Sequence, residues 1–252
     1  MITETLIQQV ADHLRVSQRL MILTGAGISS ESGVPTFRDS LEGLWSRYDP
    51  AQLATPDAFR RDPTLVWSWY AFRRAAVRRA QPNPGHHALA EIQRRQPQAV
   101  LITQNVDDLH ERAGSRAPIH LHGNIARSKC AAACRGEPTH IELPIAVSEA
   151  ESAPPPCPYC GAPARPDVVW FGEMLPPAAL TTAHAAAARA DVCLVVGTSG
   201  VVVPAAHLPL EAKAAGAFVI EVNPVESAIT PHADVWLSAP AGDILPRVVE
   251  AL

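Results

Sequence analysis

The sequence predicts an α/β fold: a parallel sheet with helices on both faces, carrying one small inserted module. Three observations point there. Short, wholly apolar runs at 20–23, 99–102, 192–196 and 218–220 alternate with longer stretches of helical period. Strands apolar on both sides are what a parallel sheet covered by helices requires. Polar clusters follow the runs directly, at 25–38, 104–107, 197–199 and Asn223. In open parallel sheets the functional loops sit at the carboxyl ends of the strands. Residues 124–166 break the pattern, with four of the five cysteines and the run Ala153-Pro154-Pro155-Pro156. A chain of 252 residues, 47% of them hydrophobic, suits one large domain with an insertion of that size.

In chain order, 1–16 reads as an amphipathic helix, with Leu6, Ile7, Val10 and Leu14 on one stripe. It lacks a basic start followed by an apolar core, so it does not read as a secretory leader. The strand at 20–23 ends in Gly25-Ala26-Gly27, a turn where glycine lets the backbone bend and a phosphate approach its N–H groups. The plain dinucleotide fingerprint wants a third glycine where Ser30 stands. Ser29, Ser30, Glu31 and Ser32 offer polar partners to a ribose or to the loop itself. Residues 39–62 read as loop and short helix over the site.

A helix follows over 64–79, with Leu65, Trp69, Phe72 and Ala76 at helical spacing. Pro82-Asn83-Pro84 breaks it before a second helix to about 95. Strands are expected at 99–103 and 119–121. After the insertion the main pattern resumes with an apolar strand at 168–172. Helix 177–189, strand 192–196, helix 204–215, strands 218–222 and 235–237 and helix 242–252 complete it. The architecture expected is Rossmann-like, residues 1–123 and 167–252 forming one part around a module at 124–166.

A net charge of −4 and pI near 6.2 give no reason to expect nucleic acid as a partner. No apolar run approaches a membrane span, and a cytoplasmic location is expected. Five cysteines then point to metal or free thiols rather than disulfides. Cys130-x3-Cys134 and Cys157-x2-Cys160 have the spacing of a four-thiolate zinc site, closed to water and hence structural. Cys193 lies inside an apolar strand and reads as a small core hydrophobe.

His122 follows a strand in Leu121-His122-Gly123-Asn124, where a general base would be useful near neutral pH. His86, His87, His110, His120, His140, His184 and His207 have no such context and read as structural or surface groups. Gln104, Asn105 and Asp107 place two amides and a carboxylate at one strand end; Asp107 or Asp108 would also serve as a helix N-cap there. Arg60, Arg61, Arg73, Arg74, Arg78 and Arg79 form a basic region that by itself reads as a solvated face.

The run GAGISSESGVPTFR at 25–38 closely resembles the first signature of the sirtuin family, the NAD-dependent protein-lysine deacylases. TQNVDDLHERAG at 103–114 and LHGN at 121–124 resemble two further motifs of that family, in the same order. The resemblance spans most of the chain, of bacterial type; one departure is the three residues inside the first cysteine pair, where the family usually shows two. It implies NAD contacts at Gly25, Ala26, Gly27, Ile28, Ser29, Glu31, Pro35, Thr36, Phe37, Arg38 and Trp45. It implies more at Gln104, Asn105, Val106, Asp107, Gly197, Thr198, Ser199, Asn223, Pro224, Val225 and Ala241. It also implies one structural zinc on Cys130, Cys134, Cys157 and Cys160.

By the same resemblance, His122, Asn105 and Asp107 are catalytic, and an acyl-lysine peptide pairs along Val169, Trp170, Phe171, Gly172 and Glu173. The acyl oxygen attacks the ribose as nicotinamide leaves, His122 deprotonates a ribose hydroxyl, and free lysine and O-acyl-ADP-ribose result. Trp69-Tyr70-x-x-Arg73 resembles the Tyr-x-x-Arg pair of the desuccinylase and demalonylase branch, which implies that Tyr70 and Arg73 bind an acidic acyl group. The partners expected are acylated lysine side chains of proteins, with no nucleic acid and no membrane. Two alternatives remain at this point: a catalytically weak NAD or ADP-ribose-binding regulator, and a nicotinamide-dependent oxidoreductase.

Overall fold

The computed structural model describes residues 2–34, 49–148 and 152–252. The chain opens with α1 (Glu4–Val16), whose first turn is capped by the Thr3 hydroxyl accepting from the Leu6 N–H at 3.2 Å. Then come β1 (Leu20–Thr24), α2 (Ala26–Ser30), α3 (Pro50–Leu53), α4 (Pro56–Arg61), α5 (Pro63–Arg79) and α6 (Pro84–Arg95). β2 (Val100–Thr103), α7 (Leu109–Arg112) and β3 (Ile119–His120) follow. The inserted module holds β4 (Gly123–Cys130), β5 (His140–Ile141), α8 (Ile145–Ser148) and β6 (Ala164–Val168). The chain closes with α9 (Pro177–Ala187), β7 (Val192–Val196), α10 (Leu208–Ala214) after a 3-10 turn, β8 (Phe218–Val222), β9 (Val235–Leu237) and α11 (Ala241–Ala251).

Six parallel strands lie in the order β3-β2-β1-β7-β8-β9. The order reverses between β1 and β7, and the loops leaving those two strands diverge into a crevice at their carboxyl ends. Alternate side chains of each strand face opposite layers. Leu20, Ile22, Leu101, Leu194 and Ile220 pack against α1, α6 and α11 through Leu14, Leu89, Ile92, Leu245 and Val248. Met21, Leu23, Ile102, Cys193 and Val219 face α9 and α10 through Ala183, Ala187, Leu208 and Ala212. Cys193 is therefore a core residue, as its strand context implies, and burial raises its thiol pKa to about 12.

The expected strand at 168–172 needs correction. Val168 ends β6, which pairs antiparallel with β4 in a separate three-stranded sheet of order β5-β4-β6. The next five residues form no strand, and the parallel pattern resumes only at α9. An apolar run at the rim of a crevice has the same composition as a buried strand, and periodicity does not separate them.

The buried face of α5 also differs from the expected stripe. Val66, Trp67, Tyr70, Ala71, Arg74 and Val77 are buried, together with Trp69, while Leu65, Phe72 and Ala76 are half-buried. The helix serves two clusters at once. Val66, Trp69 and Tyr70 pack with Phe59, Ile125, Val168 and Trp170, and Trp67 packs with Cys130, Cys157 and Ile141 of the inserted module.

Arg74 is not part of a solvated face: it is 4% exposed, with Nε donating to the Ile125 carbonyl at 2.8 Å. Its other nitrogens donate to the Ser148 carbonyl at 2.8 Å and the Ser128 hydroxyl at 3.1 Å. One guanidinium thus satisfies buried acceptors on several turns of the module at once. Replacing it by methionine keeps most of the volume and strands those acceptors. Arg74→Met should cost about 3 kcal/mol, since hydrogen bonds to charged groups contribute roughly 1.5–3 each. Thermal unfolding should show a Tm lower by on the order of 10 °C; an unchanged Tm would remove Arg74 from the module's support.

Candidate active site

At the crevice the loops after β1 and β7 meet backbone to backbone. The Gly25 N–H donates to the Val196 carbonyl at 3.0 Å and the Gly27 N–H to the Gly197 carbonyl at 2.8 Å. A Cβ on Gly25 would lie 2.8 Å from the Gly197 oxygen, and one on Gly27 2.7 Å from it. These glycines are dictated by close approach rather than by a left-handed turn: Gly25 has φ −128°. Gly197 itself is left-handed at φ +61°. Gln104 Nε2 donates to the Thr198 hydroxyl at 2.9 Å, and Asn223 Nδ2 to the Thr198 carbonyl at 3.0 Å. The ends of β2, β7 and β8 are thereby joined into one polar wall.

The segment 104–107 is held from several directions. The Gln104 N–H donates to the Thr24 carbonyl at 3.0 Å, and the Asn105 N–H to the Thr103 hydroxyl at 3.0 Å. Its carbonyls point at ring nitrogens: Gln104 to His122 Nδ1 at 2.7 Å, Asn105 to His120 Nδ1 at 3.1 Å. A carbonyl only accepts, so both Nδ1 atoms carry protons. With its proton on Nδ1, a neutral His122 has its lone pair on Nε2, on the wall of the cavity. Burial pulls the His122 pKa below the ordinary value, against the Gln104 bond, so the ring is neutral at pH 7.

Behind this wall lies Ser29. Asn105 Nδ2 donates to its hydroxyl at 3.0 Å. The Asn83 N–H donates to His86 Nδ1 at 3.3 Å, so His86 Nε2 carries the proton and donates to the same hydroxyl at 3.4 Å. With both lone pairs used, the Ser29 hydroxyl is left as a donor, and it lowers the pKa of Asp107. Asp107 is 4% exposed and also accepts the Leu109 N–H at 3.1 Å. Burial raises its pKa, and those two bonds oppose the rise.

Together these groups line a cavity of about 300 Å³. Ala26, Ser29, Gln104, Asn105, Val106, Asp107 and His122 form one side. Val168, Val169, Trp170, Phe171, Gly172, Glu173 and Leu175 form the other, with Arg73, Val34, Ala54, Val202 and Val203. The 168–173 segment is fixed against His122: the Val169 N–H donates to the His122 carbonyl at 2.9 Å. Arg165 grips Glu173 at 2.6 Å and lies 3.3 Å over the Trp170 ring, while Glu173 also accepts the Trp170 N–H at 2.8 Å. Trp170 Nε1 donates to the Tyr70 hydroxyl at 3.0 Å. That bond leaves the phenol's own proton free to donate elsewhere. Arg73 lies on the cavity wall with its guanidinium 4.8 Å from the Trp69 ring centre.

Several expected contacts lie away from this cavity. Gly25, Gly27 and Ile28 sit at the β1–β7 junction, and Thr198 and Asn223 in the polar wall beyond it. Tyr70 is fully buried behind Trp170. Val225 is exposed on the next loop, after Pro224, and Ser199 precedes it on the β7 loop, its carbonyl accepting from Ala228. Ala241 begins α11, packed close to Gly85. The Glu31 carboxylate accepts the Gly242 N–H at 3.1 Å and so links α2 to α11. Pro35, Thr36, Phe37, Arg38 and Trp45 lie outside the described residues. His86, Asn83, Thr24, Thr103 and His120 support the site and were not singled out from sequence. The only signal for Thr24, Thr103 and His120 is proximity to a strand end, and for Asn83 and His86 it is the start of a helix, contexts that many polar residues share.

In the module, Cys130, Cys134, Cys157 and Cys160 converge, all four sulfurs within 4.8 Å of one another. Sγ–Sγ distances are 3.5 Å for Cys130–Cys160 and 3.8 Å for Cys134–Cys157. A tetrahedron with Zn–S bonds of about 2.3 Å has edges near 3.8 Å, so the set fits zinc. The extra residue inside the first pair does not prevent convergence.

A model of the Sir2 family matches residues 25–204. NAD-dependent protein deacylase 2 of Pyrobaculum aerophilum is 53% identical over 241 residues, covering 96% of this chain and 94% of that protein. NAD-dependent protein deacylase 1 of Pseudomonas aeruginosa is 51% identical over 246 residues, covering 96% and 98%. Among solved structures, a Sir2 homologue in complex with NAD matches with a TM-score of 0.86 at 49% identity, covering 99% of this chain and 93% of that one.

Protein purified under reducing conditions should carry close to one zinc per chain. Removing the metal with a chelator should loosen the module and lower Tm, because at a four-thiolate site the energy of metal binding is energy of folding. Metal analysis below about half an equivalent would contradict the assignment of four-thiolate ligation.

Proposed function

Because this chain belongs to the Sir2 family, we propose that its central cavity removes acyl groups from protein lysine side chains at the expense of NAD. The protein is an NAD-dependent protein deacylase with one structural zinc. The observation that carries the placement of the chemistry is His122. It stands on the cavity wall with Nδ1 committed to the Gln104 carbonyl, beside Asn105 and Asp107 and opposite residues 169–173. In this reading His122 Nε2 takes the proton from a ribose hydroxyl. NAD, when bound, supplies the ribose carbon that accepts the acyl oxygen and the nicotinamide that leaves.

Positive charge develops on that ribose, and a buried, preorganised carboxylate and amide beside it stabilise the charge more than water would. Asp107 and Asn105 fill these roles. The peptide extends along residues 169–173 by backbone pairing. Gly25 to Ser29, Gly197 to Ser199, Asn223 to Val225 and Ala241 carry the remainder of the dinucleotide.

The finer part of the proposal concerns the acyl group. A succinyl or malonyl chain ends in a carboxylate, which is costly to bury in a mostly apolar cavity without a cation. Arg73 faces that cavity and retains its charge despite burial, which lowers its pKa. Tyr70 stays buried behind Trp170, holding that ring, and Arg73 would pair with the carboxylate through two nitrogens. An acetyl group has no carboxylate to pair.

Mass spectrometry of products from a panel of acyl-lysine peptides with NAD tests both levels. Nicotinamide, O-acyl-ADP-ribose and free lysine should appear together. Succinyl-lysine should exceed acetyl-lysine in kcat/KM, and Arg73→Met should abolish that preference while sparing deacetylation. A preference that survives Arg73→Met would contradict the assignment.

His122→Ala should lose ~100–10,000-fold in turnover, the usual worth of a general base. The acid limb of the pH profile should lie below pH ~6.5, the ordinary histidine value, because burial holds the His122 pKa down and the base works only when neutral. An acid limb above that value would assign it to another group.

A further inference from the structure

We propose that His120, held as an imidazolium between the Glu111 carboxylate and the Asn105 carbonyl, is a positioning residue that fixes the 105–107 segment of the cavity wall. His120 does not line the cavity, and its sequence context gave it no role. Its Nδ1 lies 3.1 Å from the Asn105 carbonyl oxygen and its Nε2 2.7 Å from Glu111 Oε1. Both partners are acceptors, so both ring nitrogens must carry protons, and a ring with two protons is a cation. The side chain is 12% exposed, which shields the ion pair from solvent.

The carboxylates around the ring favour that state, and His110 beside it is held neutral by burial. Glu111 and His110 face the ring from α7, Asp107 faces it from the loop after β2, and Arg127 of β4 acts on Glu111. Burial pulls the His120 pKa down, but Glu111, the Asn105 carbonyl and Asp107 outweigh it, and the net shift is upward. Burial likewise pushes Glu111 up, but the bond to His120, its charge and Arg127 together outweigh burial and leave Glu111 below its ordinary value.

The consequence for the site follows from the adjacency of two peptide groups. The Gln104 carbonyl holds His122 and the next carbonyl, Asn105, is held by His120. Losing the His120 proton turns a lone pair toward one of its two acceptors, and that acceptor must withdraw. If the Asn105 carbonyl withdraws, the side chains of Asn105 and Asp107 move with it. The His120 pKa is raised, so the clamp is intact below it and is lost as pH rises through it. It therefore sets an alkaline limit, while His122 sets the acid limit.

The inference rests on the deacylase reading for its kinetic arm, and its test has an arm that does not. In protein labelled with ¹⁵N at histidine, His120 should titrate above its ordinary value of ~6.5 with both nitrogens protonated at pH 7. Glu111→Gln should lower that pKa by about one unit, the size of a lost neighbouring charge. In turnover, Glu111→Gln should shift the alkaline limb of kcat/KM for NAD down by a similar amount and leave the acid limb in place. His120→Phe should raise KM for NAD about tenfold or more, as misplaced contact groups do, with a smaller change in kcat. His120→Gln, a neutral side chain with two N–H protons, should recover much of that KM and show no alkaline limb.

Glu111 is half-buried at the surface, so Glu111→Gln reports on the pair even if His120→Phe melts early. A His120 that titrates below the ordinary value, or an alkaline limb unmoved by Glu111→Gln, would overturn the proposal. If the wild type consumes no NAD with any acyl-lysine peptide, the deacylase reading fails. The ring titration and the affinity for ADP-ribose, measured by calorimetry at pH 7 and pH 9, then decide the inference alone: binding should weaken at pH 9 in wild type and not in His120→Gln, and equal weakening in both would overturn it.

Discussion

The backbone of residues 104–106 carries the site. A chain leaving a parallel sheet loses its ladder partners, and buried N–H and C=O groups without partners cost free energy. Here two N–H groups and all three carbonyls are met by a side chain or a neighbouring backbone group. Thr24 and Thr103 take the N–H groups, His122 and His120 take two carbonyls, and the Ile125 N–H takes the Val106 carbonyl at 2.7 Å. The same bonds that satisfy the loop also orient the groups it presents. His122 shows this most directly, since the proton that satisfies Gln104 is what leaves Nε2 free to act as a base.

The topology supplies the other half. Reversal of strand order between β1 and β7 opens the crevice, and close backbone approach there admits only glycine at positions 25 and 27. The inserted module then roofs the crevice, because β4 begins at Gly123 and β6 ends at Val168, next to each other in register. A Cβ on Gly123 would lie 2.1 Å from the Asp167 oxygen, so the sheet closes on His122 only with glycine there. α5 fastens the module from beneath through Trp67 and Arg74. Chemistry and metal are therefore separate in space but share one support.

Much of this was legible in the chain. The strands of the main sheet show as short apolar runs, and the loops at their ends show as polar clusters, because both follow from burial on two faces. The cysteine pairs announce a metal because few other patterns need four thiols so spaced. The supporting residues were not legible. His86, His110 and His120 look alike in sequence, and only the packing of α6, α7 and β3 sets them behind the 104–107 segment. Burial then keeps His86 and His110 neutral, with pKa values pulled to about 4 and about 3, while Glu111 keeps His120 charged. The apolar stretch at 168–172 reads as a strand because hydrophobicity on a cavity wall and in a sheet interior look the same in sequence. Arg74 was misread because a buried arginine carries the same letter as a solvated one, and only its carbonyl partners distinguish it.

The central claim is that the 104–107 backbone sets the tautomer of His122. It is tested by ¹⁵N spectra of histidine-labelled protein at pH 7, with His122 assigned by comparison to His122→Ala. A neutral ring protonated on Nδ1 and bare at Nε2 is the result this account predicts. A ring protonated on Nε2, or on both nitrogens, would contradict it.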